Sequence, residues 1–228
     1  MTDHADHADT VAIVLAAGSS SRMGGADKIW ADLGGRPVLA HSLAVFAAMP
    51  RVARVVVVAP VERHEAVRAL APVGAALTCV EGGVRRQDSV AAGLAAAGEV
   101  AFVLVHDGAR PLVTAEVVAR VLEAAERDGA AIPVVPVVDT IKRVDAHGRV
   151  VETVDRAALR AVQTPQGFAM AVLRRAHLEV TEDATDDASM VERLGLPVAT
   201  VPGDPENLKV TTPADLVLAR AWLAERER

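Results

Sequence analysis

The fold is decided by the stretch Val11-Ala-Ile-Val-Leu-Ala-Ala-Gly-Ser-Ser-Ser-Arg-Met-Gly-Gly-Ala-Asp-Lys28. Its first residues are apolar without interruption, a pattern typical of a strand buried on both faces of a parallel sheet. The loop that follows leaves the carboxyl end of this strand, which is where open α/β sheets bind their ligands. The sequence therefore predicts a buried strand that leads directly into a ligand-binding loop.

The loop after this strand has the chemistry of a polyphosphate site. Gly18 allows a tight turn, and the small residues Ala16 and Ala17 let phosphate oxygens approach main-chain N–H groups. Arg22 and Lys28 add two cations. The spacing matches neither the P-loop nor the dinucleotide fingerprint. A plain strand-to-helix turn with two solvated cations is the alternative, but the ordered combination favours a nucleoside triphosphate.

Composition limits the remaining possibilities. A chain of 228 residues fits one large α/β domain with a substantial core. Hydrophobic residues make up 51% and aromatic residues 2%, with no Tyr, so the core is aliphatic and tyrosine catalysis is excluded. The net charge of −6 and the lack of an aromatic and basic stretch argue against nucleic acid as a partner. We expect a small-molecule partner.

Several features indicate a cytoplasmic protein that does not enter a membrane. No apolar stretch reaches bilayer length, and residues 1–9 are polar and acidic, unlike a signal peptide. We expect these residues to form a disordered tail in which His4 and His7 are solvated rather than bound to a metal. The single Cys79 lies in an apolar run and is interpreted as a buried structural thiol in a reducing compartment.

Helices and strands alternate along the first part of the chain. The residue pattern predicts helices at 36–49, 61–70, 85–97 and 114–128, and strands at 54–60, 75–80 and 101–105. Later helices are predicted at 169–179, 185–194 and 213–225, with short strands at 198–201 and 207–210. The alternation indicates an α/β fold with a doubly wound, mostly parallel sheet in a single domain, 10–228.

A hairpin interrupts this pattern. Residues 140–144 and 149–154 alternate apolar and polar side chains around Asp145-Ala-His-Gly148, which predicts two antiparallel strands with Gly148 at the turn. An isolated hairpin is marginal in water. We therefore expect this protruding arm, at about 139–156, to pack on a second copy of the chain.

Further motifs follow the strands at 75–80 and 101–105. In Glu81-Gly-Gly-Val-Arg-Arg-Gln-Asp-Ser89, Gly82 and Gly83 permit close approach of a flat base, and Asp88 and Ser89 can bind it. A glycine turn with a helix cap explains this segment equally well. Asp107 lies at a strand end, where it is a good Mg²⁺ ligand beside a triphosphate.

Other residues near these motifs are open to more than one interpretation. Asp107 can instead pair with Arg110. The neighbouring His106 faces the opposite side of its strand and is interpreted as packed or solvent-facing. Lys209 is predicted to lie in an apolar strand, where its charged amine must either face an anion or reach solvent. Arg156, just after the hairpin, cannot be assigned from the residues alone.

The ordered set of motifs resembles the 2-C-methyl-D-erythritol 4-phosphate cytidylyltransferase family over nearly the whole chain after the tail. The first motif alone would indicate only the nucleotidyltransferase superfamily. The matching segments are Ala16-Ala-Gly18 with Arg22-Met23 and Lys28, Gly82-Gly83 with Arg86 and Asp88-Ser89, Val105-His-Asp-Gly-Ala-Arg-Pro111, Asp139-Thr140 with Lys142-Arg143, Thr153-Val-Asp-Arg156, Gln163-Thr-Pro-Gln166, Thr185-Asp186 and Asn207-Leu-Lys-Val-Thr211.

The resemblance implies a Rossmann-like fold of the nucleotide-diphospho-sugar transferase type and a set of site residues. Arg22 and Lys28 would grip the phosphates of CTP and stabilise the transition state, with Mg²⁺ held at Asp107. The CTP pocket would be lined by Ala16, Ala17, Gly18, Gly83, Ser89, Asp107 and Gly108. The methylerythritol phosphate would be held by Thr140, Arg156, Thr164, Thr185 and Lys209, with Thr140 and Arg156 serving the partner's active site across a homodimer.

The implied reaction needs no general base. The phosphate oxygen of the acceptor is already charged and attacks the α-phosphorus of CTP in line, so catalysis is mostly positioning and charge neutralisation. Arg22, Lys28, Arg156 and Lys209 are the predicted catalytic cations.

Two features depart from the family pattern. Gly24-Gly-Ala-Asp27 stands where many relatives have Pro before the Lys, and Val84 and Arg85 occupy positions that are often acidic or polar.

Three alternatives stay open on the sequence. A ribitol 5-phosphate or other pentitol-phosphate cytidylyltransferase differs mainly at the acceptor site. A molybdopterin or sugar-phosphate nucleotidyltransferase shares the first loop but not the hairpin or Thr153-Val-Asp-Arg156. A catalytically silent nucleotide-sensing module would be expected to lose residues among Arg22, Lys28, Asp107 and Lys209, and all are present.

Overall fold

A computed structural model of the chain describes residues 9–18, 27–226 and 228. The strands are β1 Thr10–Leu15, β2 Asp32–Leu33, β3 Arg36–Pro37, β4 Val52–Val58, β5 Leu77–Val80, β6 Phe102–Asp107, β7 Ala130–Pro136, β8 Ile141–Val144, β9 Val150–Val154, β10 Arg160–Val162, β11 Gln166–Ala169 and β12 Ala199–Pro202. The helices are α1 Val38–Ala48, α2 His64–Ala69, α3 Arg86–Ala96, α4 Ala115–Asp128, α5 Met170–Glu179, α6 Asp187–Arg193 and α7 Pro213–Arg226.

The main sheet is mostly parallel, as the sequence predicts. Strands β5, β4, β1 and β6 lie side by side in that order and run parallel. Strand β11 pairs antiparallel with β6 and β7, and β7 also pairs antiparallel with β10 and parallel with β12. Because β1 has β4 on one side and β6 on the other, the chain connections diverge at β1. Open α/β sheets form their ligand crevice at this kind of point.

Strand β1 is buried on both faces and divides the core into two layers. Val11 and Ile13 pack in one apolar cluster with residues of α3 and α5, and Ala12 and Val14 pack in the other with residues of α1 and α4. Gly93 lets α3 approach the sheet, since a Cβ there would lie 2.6 Å from Cγ2 of Ile13. The core is mostly aliphatic, as composition predicts, although it also contains Phe46 and Phe168, and it fixes the position of the carboxyl end of β1.

The predicted hairpin is present as strands β8 and β9. They pair only with each other within the described residues and form a separate two-stranded sheet. Gly148 has a φ of 77° at the turn, and the Asp145 carboxylate accepts hydrogen bonds from the backbone N–H groups of His147 and Arg149. Val150 and Val151 are exposed on this hairpin. Its role in dimerisation stays a prediction.

Some predicted elements are wrong or incomplete. Residues 207–210 form an irregular loop rather than a strand, since backbone groups there bond to the loop after β6: N–H of Val210 donates to the carbonyl of Ala109. Strands β7, β10 and β11 were not predicted. Helix α1 begins at Val38 instead of residue 36, because Arg36–Pro37 pairs with β2. Helix α6 begins at Asp187, where the Asp186 carboxylate caps it by accepting from N–H of Ser189.

The first described residue, Asp9, and the single thiol, Cys79, both have defined surroundings. Asp9 is anchored by an ion pair with Arg51 at 2.8 Å, whereas His4 and His7 lie outside the described residues. Cys79 is partly buried, and burial raises the pKa of its thiol. In the described part of the chain, none of the helices has both the length and the apolar character needed to span a bilayer.

Candidate active site

A cleft of about 420 Å³ opens at the carboxyl ends of β1, β5 and β6. It is formed by the three loops in which the sequence places the nucleotide motifs. The lining residues are Leu15, Ala16, Ala17, Gly18, Lys28, Ile29, Gly83, Val84, Arg85, Arg86, Ser89, Asp107, Gly108, Ala109 and Lys209. The described residues predicted to bind nucleotide are thus brought together in one cleft, with Lys28 and Lys209 added.

Close contacts between the loops explain two of the glycines. A Cβ on Gly108 would lie 2.9 Å from the carbonyl oxygen of Leu15, to which N–H of Gly108 donates a hydrogen bond. A Cβ on Gly83 would collide with the side chain of Asp88. The Ser89 hydroxyl accepts from N–H of Gly83 at 3.2 Å and fixes the same loop. The loops after β5 and β6 are therefore held in position beside the end of β1.

Asp88 serves as a helix cap. Its carboxylate accepts from N–H of Arg85 and from the Arg85 guanidinium at the start of α3. Hydrogen bonds from Arg85 lower the pKa of the Asp88 carboxyl. The capping interpretation of this residue is thus the one that the contacts favour, while Gly83 and Ser89 line the cleft.

Asp107 is the acidic centre of the cleft. Its Oδ2 lies 2.8 Å from Nζ of Lys209 and 3.8 Å from Nε of Arg110. Burial raises the pKa of this carboxyl, but the charges of Lys209, Arg86 and Arg110 outweigh that effect and lower the pKa below its usual value. Asp107 is therefore ionised near neutral pH. Its predicted pairing with Arg110 is present at 3.8 Å, and its predicted role as a Mg²⁺ ligand stays a prediction.

His106 and Thr164 lie behind Asp107 and orient it. The Thr164 hydroxyl accepts from N–H of Asp107 at 3.1 Å and donates to Nδ1 of His106 at 3.0 Å. Nε2 of His106 donates to the carbonyl of Arg110 at 3.2 Å. These bonds require a neutral imidazole, and burial lowers the pKa of His106 to about 4. His106 is packed, and Thr164 is buried beneath the cleft instead of lining it.

Buried amides hold the loop that carries Lys209. Gln163 donates to the carbonyl of Asp204 and accepts from its N–H. Nδ2 of Asn207 donates to the carbonyl of Thr164, and Nη1 of Arg110 donates to the carbonyl of Asn207, both across distances below 3 Å. Lys209 thus contacts Asp107 from a loop that side chains distant in sequence hold in place. Because those contacts are not local, the residue pattern wrongly predicts a strand at 207–210.

Lys28 lies within residues 27–30, a segment that Arg63 stabilises from the region before α2. Arg63 lies over the ring of Trp30, with its Cζ 5.2 Å from the ring centroid, and pairs with Asp27 at 3.8 Å. Asp27 also accepts from N–H of Ile29. Arg22, the other predicted phosphate ligand, lies outside the described residues.

Two positively charged cleft residues were given no role from the sequence. Arg86 lines the cleft at 26% side-chain exposure and pairs with Asp187 at 2.7 Å. Arg85 lines the outer part and bonds to Asp88, to the carbonyl of Thr181 and to Asp183. Their position two and three residues after Gly83 is the signal that could have identified them as cleft residues.

Within one chain, the residues predicted to bind the acceptor do not come together in the cleft. Thr140, Arg156 and Thr185 are exposed and absent from the cleft lining. The Arg156 guanidinium donates to the carbonyl of Val138 at the base of the hairpin. Among the predicted acceptor ligands in the described ranges, only Lys209 lines the cleft.

The donor set fits a metal ion that arrives with phosphate. The described residues contain no cluster of three His, Cys, Asp or Glu side chains that could hold a metal by themselves. A single ionised carboxylate at Asp107 is what Mg²⁺ typically takes from a protein when phosphate oxygens and water complete its shell.

The cleft lies where the chain connections diverge at β1, and glycine loops, three or more cations and one carboxylate line it. These features define a nucleotidyltransferase-type α/β protein. Residues 10–225 match the family model of 2-C-methyl-D-erythritol 4-phosphate cytidylyltransferase. The chain belongs to this family.

Individual relatives agree over most of their length. The chain is 50% identical to 2-C-methyl-D-erythritol 4-phosphate cytidylyltransferase of Streptomyces coelicolor, covering 96% of this chain and 86% of that protein. It is 48% identical to the enzyme of that name from Rhodococcus jostii, covering 94% and 95%. A crystal structure of 2-C-methyl-D-erythritol 4-phosphate cytidylyltransferase from Thermus thermophilus superposes with a TM-score of 0.78 at 43% identity, covering 93% of this chain and 98% of that one.

Proposed function

We infer that this protein transfers the cytidylyl group of CTP to 2-C-methyl-D-erythritol 4-phosphate, forming 4-diphosphocytidyl-2-C-methyl-D-erythritol and pyrophosphate in isoprenoid precursor biosynthesis by the non-mevalonate pathway. Membership of the family over residues 10–225 supports the reaction. The observation that carries the assignment to this site is the cleft in which Lys28, Arg86 and Lys209 line the space around Asp107.

The cleft residues have distinct tasks in this reaction. The small residues Ala16, Ala17 and Gly18 give the triphosphate access to main-chain N–H groups, and Lys28 neutralises charge on the leaving pyrophosphate. Lys209 reduces the repulsion between the two phosphorylated reactants. No side chain has to remove a proton, because the attacking phosphate oxygen is already anionic, so alignment and charge account for catalysis.

We propose that a divalent ion, Mg²⁺ or a similar cation, binds at Asp107 together with the nucleotide. When bound it would supply charge neutralisation at the phosphates. The lowered pKa of Asp107 supports an ionised ligand. Lys209 contacts the same carboxylate, so the lysine would have to share it with the ion or move to a phosphate.

We also propose a homodimer in which the hairpin carries Thr140 and Arg156 to the partner's cleft. Support comes from their absence from the lining of their own cleft and from the exposed Val150 and Val151 on a hairpin with its own small sheet. The cytoplasm remains the expected location, since a lone thiol at Cys79 suits a reducing compartment.

The test is pyrophosphate release from purified protein with CTP and a panel of phosphorylated alcohols that includes methylerythritol 4-phosphate and ribitol 5-phosphate. We expect release with CTP and methylerythritol 4-phosphate only when a divalent cation is present. Preference for ribitol 5-phosphate would reassign the acceptor, equal turnover of all four nucleotides would reject the base pocket, and no release with any acceptor would favour a nucleotide-sensing role.

A further inference from the structure

The cleft wall contains a buried carboxylate that the reaction above does not use. Asp187, the first residue of α6, is fully buried, and its Oδ2 lies 2.7 Å from Nη1 of Arg86. Its Oδ1 lies 3.3 Å from Nε2 of His177 on α5. An ionised group without solvent is costly unless it is paired, so this arrangement needs an explanation.

A second set of contacts fixes the carboxylate in place. The Gln166 side chain is 1% exposed, and its Oε1 accepts from N–H of Asp187 and of Ala188. Its Nε2 donates to Asp186 at 2.7 Å. The start of α6 is thereby attached to β11, and Asp187 is held behind the cleft wall.

Stability alone does not account for the pair. Replacing a buried ion pair by apolar residues is often neutral or stabilising, because desolvation offsets the attraction, and the best-attested benefit of such pairs is a defined geometry. Here that geometry concerns Arg86, which is the member that reaches the cleft. Burial lowers the pKa of Arg86, but the carboxylates of Asp187 and Asp107 outweigh it and keep the pKa raised, so the guanidinium stays charged between them.

We propose that Asp187 is a positioning residue that holds Arg86 in the cleft as an additional cation for the nucleotide phosphates, with Gln166 and His177 holding Asp187. Resting on the proposed function, this extends the phosphate-binding set to Arg86. The ion pair holds the guanidinium through Nη1 in a side chain that lines the cleft, so Arg86 loses little conformational entropy when a phosphate binds.

The test compares Asp187→Asn with a matched control, Glu192→Gln, which removes one carboxylate from an exposed position of the same helix. CTP affinity is measured by calorimetry without acceptor, and kcat and KM by pyrophosphate release. Asp187→Asn should weaken CTP binding and lower kcat by roughly tenfold or more, the scale expected when a charged group is displaced by about 1 Å. Glu192→Gln should match the wild type.

A double-mutant cycle separates positioning from a general loss of structure. If Asp187 acts through Arg86, adding Asp187→Asn to Arg86→Met should cost no further activity, whereas independent roles would give additive losses and overturn the proposal. Asp187→Glu keeps the buried charge but displaces the guanidinium, so it should retain the fold and still lower kcat. If Asp187→Asn does not fold, the kcat of Asp187→Glu tests the positioning role in its place.

The outcomes distinguish this proposal from the proposed function. A wild type that binds CTP but releases no pyrophosphate would reject the reaction, while the affinities of the variants would still test the positioning role. Wild-type CTP affinity and kcat in folded Asp187→Asn, or in Asp187→Glu, would reject the positioning role and leave the reaction intact. A wild type that binds no CTP would overturn both.

Discussion

The nucleotide cleft and the hairpin are held in contrasting ways. The cleft rests on buried strands, and its loops are fixed by hydrogen bonds such as those of Thr164 and Ser89. The hairpin β8–β9 pairs only within itself among the described residues and exposes Val150 and Val151. Under the proposed function this contrast would correspond to a division of labour, in which the cleft of one chain binds the nucleotide and the hairpin of the partner completes the acceptor site. Four predictions test this division.

The largest expected effect is at Lys28, which lines the nucleotide cleft. Lys28→Ala should lower kcat by roughly 10²–10³-fold and weaken CTP binding less, since the cation acts mainly on charge that develops in the transition state. Steady-state pyrophosphate release checks this, with Arg68→Ala on the exposed face of α2 as the control for loss of a cation. A change confined to KM would make Lys28 a binding residue only.

The second effect is on the pH dependence of folding stability, through His106 beneath the cleft. Burial lowers the pKa of His106 from 6.5 to about 4, so between these values the unfolded chain binds a proton that the folded chain does not. Stability should therefore fall as the pH drops through this window, by about 2 kcal/mol at a pH of about 5 for this group.

Urea unfolding of the wild type and of His106→Asn, at about pH 7.5 and about pH 5, measures that contribution. The variant should lose most of the pH dependence attributed to this group, whereas His147→Asn in the exposed hairpin turn should keep it. Equal pH dependence in all three proteins would show that His106 is not protonated on unfolding in this range.

The third effect is on the metal. Asp107→Asn should raise the Mg²⁺ concentration for half-maximal activity by at least about tenfold, because an amide replaces the charged ligand that Mg²⁺ prefers, and even the loss of a partner of a ligand typically costs that much metal affinity. Activity is titrated with Mg²⁺ at saturating CTP, with Asp183→Asn at the edge of the cleft as the control. An unchanged titration would leave Asp107 as a partner of Lys209 and Arg110 alone.

The smallest effect is a partial recovery of activity on mixing two variants, and it is the most direct test of whether the site is shared between two chains. If the hairpin crosses to the partner, Arg156 of one chain and Lys28 of the other form one functional site. Mixing nearly inactive Arg156→Ala and Lys28→Ala chains after dissociation should restore about a quarter of wild-type activity, because random pairing makes about half the dimers mixed and each mixed dimer has one intact site. No recovery despite demonstrated chain exchange would mean that each site is built from one chain.

The two regions were not equally predictable from the sequence. The positions of Gly18 and Lys28 at the cleft could be predicted because both residues are close in sequence to β1, and the hairpin could be predicted because alternation and Gly148 are local signals. Strand β7 was missed, since Pro133 and Pro136 are unfavourable in a central strand.

Contacts between distant residues were not predictable from local patterns. The surroundings of Lys209 depend on Gln163 and Arg110, and the role of Arg86 depends on Asp187, far along the chain. The sequence identifies these residues but not the hydrogen bonds and ion pairs that orient them.

The charges around the cleft have a kinetic consequence. Lys28, Arg85, Arg86 and Lys209 surround a single acid, Asp107, in a protein whose net charge is −6. The net charge of the protein repels an anionic nucleotide, whereas the cations of this cleft attract it, so diffusion is directed towards the cleft, and the attraction weakens as ionic strength rises. The same field retains pyrophosphate after the reaction, so salt that slows substrate capture also helps the product to leave.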